Sequence, residues 1–242
     1  MLIKRCLFPI LIFALLMTIL PADASAIEYT QTNPFHDVED GDYYYVPALW
    51  AYKRGISNGH GSNETFMPDL GCTRAEIVTF LWRFDGSPAT NRKLNQFVDI
   101  DTDTWYGDAV IWAAANNITN GYGNYNTFRP ELQCSRGEII TFLYRMYGSP
   151  PVTGSNPFLD VPDNAYFSDA VIWAHDNGIT TGTSNSLFSP SEICTRGQAV
   201  SFIWRAWWND NMSSDKEAGR PINVHRYGIS ENNTGKENSI IL

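Results

Sequence analysis

Apolar side chains fall at i, i+3, i+4 and i+7 in two stretches of the chain, Ile77, Phe80, Leu81, Phe84 and Ile139, Phe142, Leu143, Met146. A third stretch repeats the stripe with smaller residues, Ala199, Phe202, Ile203 and Ala206. That spacing is one face of an α-helix. The same start signal precedes each stripe: Thr73, Ser135 and Thr195 can cap the helix, and Glu76, Glu138 and Gln198 stand three residues on to complete a capping box. Upstream of each lies a second helix, about Tyr45–Arg54, Gly107–Asn116 and Ser168–Asn177. Its end is marked by Gly55, Asn117 and Gly178, residue types that accept the left-handed conformation. Ile56, Ile118 and Ile179 follow as the hydrophobic contact of a Schellman stop. The segments between the two helices carry Asn58-Gly59-His60-Gly61, Asn120-Gly121-Tyr122-Gly123 and Thr181-Gly182-Thr183, which is turn chemistry. No strand longer than a two- or three-residue bridge fits near Phe66 and its equivalents.

These elements belong to a unit of about 60 residues present three times, the signature of a repeat architecture. Each copy opens on F-x-D-[VI], at Phe35–Val38, Phe97–Ile100 and Phe158–Val161. Trp50, Trp112 and Trp173 follow inside the first helix, and their mid-helix position marks them as core. Then come Gly59, Gly121 and Gly182, and an F-x-P step ending at Pro68, Pro130 and Pro190. One helix pair exposes too much apolar surface to stand alone, so the copies must share a core. The linkers Gly86-Ser87-Pro88 and Gly148-Ser149-Pro150-Pro151 are short, which favours compact packing. The expected fold is all-α: three helix-loop-helix repeats, at 33–88, 94–151 and 156–210, forming a pseudo-threefold six-helix bundle.

Arg74, Arg136 and Arg196 directly follow the three caps. A cation in the first turn opposes the helix macrodipole. Its presence in three copies points to an anion met by the guanidinium together with the free N–H groups of an exposed helix N-terminus. The alternative is a salt bridge from each arginine to a carboxylate of a neighbouring repeat.

Outside the repeats, Lys4 and Arg5 precede an apolar run from Leu7 to Leu20, and Ala24-Ser25-Ala26 offers a cleavage pattern, so residues 1–26 read as a secretory signal peptide. From residue 211 to 242 polar residues dominate without a period, and this tail is expected to be disordered. The full chain of 242 residues carries a formal charge of −9, and loss of the signal makes it one unit more negative. An acidic exported chain is a poor general binder of nucleic acid or anionic membrane, and after signal cleavage no membrane segment is expected. Cys72, Cys134 and Cys194 precede equivalent helices, which are expected to sit apart in space, and read as small buried hydrophobes. The sharper alternative is a Cys₃ metal site on a pseudo-threefold axis.

No catalytic signature is present: G-x-S-x-G, H-E-x-x-H and the P-loop are all missing, and no pair of acids is privileged for glycoside hydrolysis. Asp99, Asp101 and Asp103 imitate a calcium loop, but Thr104 occupies the glycine place and Val110 the place of the bidentate glutamate. His36, His60, His175 and His225 lack ligand spacing. Neither an enzyme, nor a metal, nor a cofactor is expected.

F-x-D-V, a W-A dipeptide, the G-x-G loop, F-x-P and T-R-A-E, in that order and three times over, resemble the S-layer homology repeat. The resemblance covers nearly all of the chain between the signal and the tail. It implies an all-α pseudo-trimer with grooves between neighbouring repeats. The job it implies is noncovalent attachment of exported bacterial proteins to secondary cell-wall polysaccharide, often pyruvylated, or to peptidoglycan-linked polymer. It further implies ligand contact by Arg74, Arg136 and Arg196, aided by Asp37, Asp99 and Asp160 and by Gly59, Gly121 and Gly182. The aspartates have a second reading, as caps of the turn before the first helix. Tyr43, Trp105 and Tyr166 are placed to stack on a sugar ring.

The third copy departs from the pattern, with Thr183-Ser184 in its loop and Gln198 for the glutamate, so the groove served by Arg196 is expected to be the weakest. Localisation is expected at the cell wall or surface. The competing functions are a self-assembling or docking surface protein, with a surface partner of unknown kind, and a wall-polysaccharide hydrolase. An anchor without visible cargo suggests a truncated product or a separate partner.

Overall fold

A computed structural model describes residues 33–217, apart from 62–63 and 124–125, and only the backbone of 212–217. The expected signal peptide lies outside the described residues, as does the tail beyond Glu217. Among the described residues six α-helices run in order: α1 Tyr45–Lys53, α2 Arg74–Phe84, α3 Gly107–Ala115, α4 Arg136–Met146, α5 Ser168–Asp176 and α6 Arg196–Glu217. Among the described residues there is no strand, only isolated bridges. One correction concerns the C-terminal side: α6 continues past Asp210 into the segment expected to be a polar tail.

Local chemistry sets the ends. Ile56 N–H donates to Ala51 O and Gly55 N–H to Tyr52 O, the double bond of a Schellman stop, and Ile118 and Ile179 repeat it on Ala113 and Ala174. Gly55, Asn117 and Gly178 take φ of +68°, +58° and +65°. The capping boxes of α2 and α4 are complete. That of α6 is looser, with Thr195 N–H 3.4 Å from Gln198 Oε1 where the equivalent bonds in α2 and α4 are 2.8 Å.

The helices do not pair within a repeat. α2 packs on α3 of the second repeat, α4 on α5 of the third, and α6 returns to α1, while α2, α4 and α6 meet one another in the middle. The copies therefore close into a ring around one core. Trp50, Trp112 and Trp173 are buried in it, as their position in the sequence required. Phe35, Phe97 and Phe158 lie against Phe66, Phe128 and Phe188, with ring centroids 5.3 to 5.7 Å apart.

The cysteines correct another expectation. They converge on the axis rather than sitting apart: Cys72 N–H donates to Cys194 O, Cys194 N–H to Cys134 O and Cys134 N–H to Cys72 O, each at 2.8 or 2.9 Å. Three backbone hydrogen bonds thus form a closed triangle, flanked by bridges Gly71–Thr195, Thr73–Gln133 and Ser135–Ile193. All three thiols are free and buried. Burial pushes their pKa values up, that of Cys194 to about 12. No group of three His, Cys, Asp or Glu residues among those described is placed to hold a metal ion. Because thiolate is the reactive form, these thiols should resist a disulfide reagent at pH 8 in the folded protein. All three should react once denaturant is added. Stoichiometric labelling of the native state would contradict the burial.

Candidate functional site between the repeats

Each arginine leaves its own repeat and reaches into the next. Arg74 Nε donates to Phe128 O at 2.8 Å, Arg136 Nε to Phe188 O at 2.9 Å and Arg196 Nε to Phe66 O at 2.8 Å. The aspartates of F-x-D hold the other side of the same peptide. Asp37 accepts from Phe66 and Met67 N–H, Asp99 from Phe128 and Arg129, and Asp160 from Phe188 and Ser189, all at 2.7 or 2.8 Å. Met67, Arg129 and Ser189 are left-handed, with φ near +57° in each case, and the carboxylate stabilises that turn by using both oxygens on consecutive amides. One phenylalanine per repeat thereby links the F-x-D and T-R landmarks: its N–H binds aspartate and its carbonyl binds arginine.

The glycines serve the same loop. Gly59, Gly121 and Gly182 have φ of +98°, +88° and +90°, and a Cβ on Gly121 would stand 2.6 Å from both Thr127 O and the Phe97 ring. Fold geometry alone requires glycine there.

The arginines are buried, at 2%, 0% and 2% exposure, where exposed helix N-termini were expected. Two are internally paired. Arg74 Nη1 donates to Glu138 Oε1 at 2.7 Å, and Arg196 Nη1 to Glu76 Oε1 at 2.8 Å, so each partner is the capping-box glutamate of the following repeat. Arg196 Nη2 adds bonds to Ser57 Oγ and Gly59 O. Glu76 Oε1 also lies 3.5 Å from His60 Nδ1. Arg136 has no such partner, and both its Nη1 and Nη2 lack a hydrogen bond among the described residues. The salt-bridge reading therefore holds for two arginines of three. The departures of the third copy also move: that copy supplies the Phe188 carbonyl to Arg136, while Arg196 is served by the first copy.

An open groove of about 550 Å³ runs beside Arg74. Repeat one supplies Arg74, repeat two Gly121, Tyr122 and Glu138, and repeat three Tyr166. Arg74 Nη2 has no hydrogen-bond partner among the described residues. Tyr122 lies between two guanidinium groups, 5.4 Å from that of Arg74 and 4.4 Å from that of Arg129. Burial first, then the Glu138 carboxylate, pushes the Tyr166 phenol up to about 12, while a bond to Ser135 opposes the shift. The residue as a whole is 64% exposed. Trp105, its counterpart in repeat two, is 59% exposed, whereas Tyr43 in repeat one is half-buried. The sequence missed Tyr122, Glu138 and Glu76 as groove residues; the position after each loop glycine was the signal available for the first.

A sequence model of the S-layer homology domain matches three segments, residues 34–78, 96–140 and 157–200, together more than half of the chain. The chain belongs to the S-layer homology family. Curated relatives carrying similar sequence include a cell surface protein of Thermoanaerobacter kivui, 30% identical over 145 residues that cover 58% of this chain and 19% of that protein. A cellulosome-anchoring protein of Acetivibrio thermocellus is 29% identical over 157 residues, 60% of this chain and 33% of its own length. A surface layer protein of Brevibacillus choshinensis is 29% identical over 153 residues, 61% of this chain and 13% of its own length. The chain thus spans a third or less of each of these relatives. The threefold helical ring and its inter-repeat grooves are the architecture expected of that family.

Proposed function

We propose that this chain attaches noncovalently to the bacterial cell wall by holding secondary wall polysaccharide in the grooves between its repeats, and that it works as a binding module at the cell surface. The observation that carries the reading is the Arg74 groove. It is open, combines an unpartnered buried guanidinium nitrogen with an exposed aromatic face, and draws its walls from all three repeats. An aromatic ring offers a sugar its apolar face, and a guanidinium offers a fork to acidic or hydroxyl oxygens. The names of the relatives, a cell surface protein, a cellulosome-anchoring protein and a surface layer protein, agree with a wall-attached role for the shared region. Several modest grooves acting on one repetitive polymer raise avidity without tight single sites.

Truncating the arginines is a poor test, because they also hold the repeats together. The aromatics at the groove mouths are cleaner. In pull-down on protein-free wall sacculi, Tyr166→Ala should weaken retention roughly two- to tenfold. The combination with Trp105→Ala and Tyr43→Ala should abolish most of it, and stripping the sacculi of secondary polysaccharide should do the same to the wild type. A folded triple variant that binds at full strength would overturn the reading.

A further inference from the structure

We propose that a cavity at the C-terminal ends of α4 and α5, remote from the arginine grooves, takes the ammonium group of an amino sugar. The cavity measures about 150 Å³, with Tyr147, Trp173 and Asn177 on one side and Asn209 and Asp210 of α6 on the other. At a liquid share of about 30 Å³ per water it has room for about five waters, enough for an ammonium and the part of a sugar ring that bears it. Asn209 and Asp210 lie beyond the point at which α2 and α4 stop, so only the third repeat supplies this wall. Arg136 opens α4 and Tyr147 caps its other end, which puts the cavity about 16 Å along the helix from that arginine.

The ring of repeats contains its own precedent. In the α6–α1 seam Trp207 packs on Trp50 with centroids 5.3 Å apart, and the Arg54 guanidinium carbon lies 4.5 and 5.5 Å from the centres of the two rings. Tyr147 and Trp173 are the equivalent pair in the α4–α5 seam, 5.5 Å apart. Here the residue four after the tryptophan is Asn177, where the first repeat has Arg54. The rings remain and an amide replaces the cation. In the α2–α3 seam Asp85 stands in place of the second ring and accepts from Trp112 Nε1 at 3.2 Å. The electrostatics of the cavity also suits a cation. Tyr147 is the C-cap of α4 and Asn177 that of α5, so two helices turn their negative ends on it. Asp210 adds a carboxylate; burial first, then this charge, pushes the Tyr147 phenol up to about 12. Arg205 donates to the Ile179 carbonyl at 3.3 Å and does not line the cavity. Ring faces, helix ends and carboxylate together favour an ammonium and disfavour an anion. Asn177 Nδ2 donates to Trp173 O and Asn209 Nδ2 to Asn177 O, which ties α6 to the end of α5 and fixes the wall. These amides at the mouth also select the carrier of the charge. A lysine brings its ammonium on an apolar stem that offers them nothing, whereas the hydroxyls beside a sugar's amine meet them.

The test is an NMR titration of the isotope-labelled protein. The probes are glucosamine at about pH 6, where its amine is an ammonium, N-acetylglucosamine, which keeps the ring and loses the charge, and Nα-acetyl-lysine amide. Glucosamine should shift the Trp173 indole and Asn177 amide resonances saturably, and bind about fivefold or more tighter than either other probe. Asp210→Asn, an isosteric change at an exposed residue, should weaken glucosamine about five- to tenfold. Asn177→Arg supplies the cation from within, as Arg54 does in the α6–α1 seam, and should abolish the response without lowering the melting temperature. A folded Asn177→Arg protein that binds glucosamine as the wild type does overturns the proposal. If that variant does not fold, Asp210→Asn decides alone, and an unchanged affinity overturns it. A wild type that takes N-acetylglucosamine equally well, or shows no shift at these residues, does the same. Tighter binding of the lysine derivative also overturns it and marks the cavity as a place for a protein side chain. Retention on sacculi through the arginine grooves is independent of all these results, so the two readings fail separately.

Discussion

Arg196→Ala should cost the fold about 3–5 kcal/mol, the usual penalty for removing one partner of a buried ion pair. The residue is 2% exposed and makes four polar contacts in the first repeat: Phe66 O, Glu76 Oε1, Ser57 Oγ and Gly59 O. Truncation strands a nearly buried carboxylate and leaves a carbonyl without its donor, and both penalties add to the lost packing against Phe66 and Phe80. Urea denaturation followed by tryptophan fluorescence should show the loss as a lower midpoint. The double variant Arg196→Met with Glu76→Gln should recover part of it, because the remaining carboxylate is neutralised while the cap is kept. Arg136→Met gives the decisive comparison. With no carboxylate to strand and an unpaired charge to remove, it should cost much less than Arg196→Met, or stabilise. Equal losses at the two positions would mean that the arginines act through bulk alone.

Gly182→Ala should be the most damaging substitution of a single methyl, at roughly 2–5 kcal/mol. The added Cβ would stand 2.4 Å from Leu187 O, 2.6 Å from the Phe158 ring and 2.7 Å from Ser184 O. Two of these are backbone atoms in a closed turn, so relief requires moving the turn itself. A φ of +90° adds strain for any L side chain. The same substitution at Gly55, where φ is positive but nothing lies within 4 Å, should show only the conformational part, about 1–2 kcal/mol. Thermal melting of the two variants separates the contributions. If Gly182→Ala costs no more than Gly55→Ala, the loop gives way more easily than its packing indicates.

Helix ends were legible because caps are written within a few residues. Thr73 with Glu76, or Gly55 with Ile56, carries its own explanation, and the first helices end one residue before the expected positions. Pairing was not legible. Nothing near α2 says that it packs on α3 of the following repeat, since each apolar stripe is compatible with either neighbour. The arginines were read as exposed for the same reason: the carbonyl and carboxylate that bury Arg196 lie more than a hundred residues away in sequence. The sequence places the effect of Gln198 in its own copy, whereas the equivalent Glu138 and Glu76 pair with an arginine of another repeat. The continuation of α6 had a signal that composition masked, for Trp204, Ala206 and Trp207 are buried and extend the stripe.

The cysteine triangle and the return of α6 to α1 leave no terminal copy with an uncovered face. Stacked repeat proteins grow by adding units at an end and need special caps to stop. Here three is a fixed number, and a fourth unit would have no seam to enter. Variation among the repeats is confined to what lines each seam, so the three seams can differ from one another while the ring stays closed.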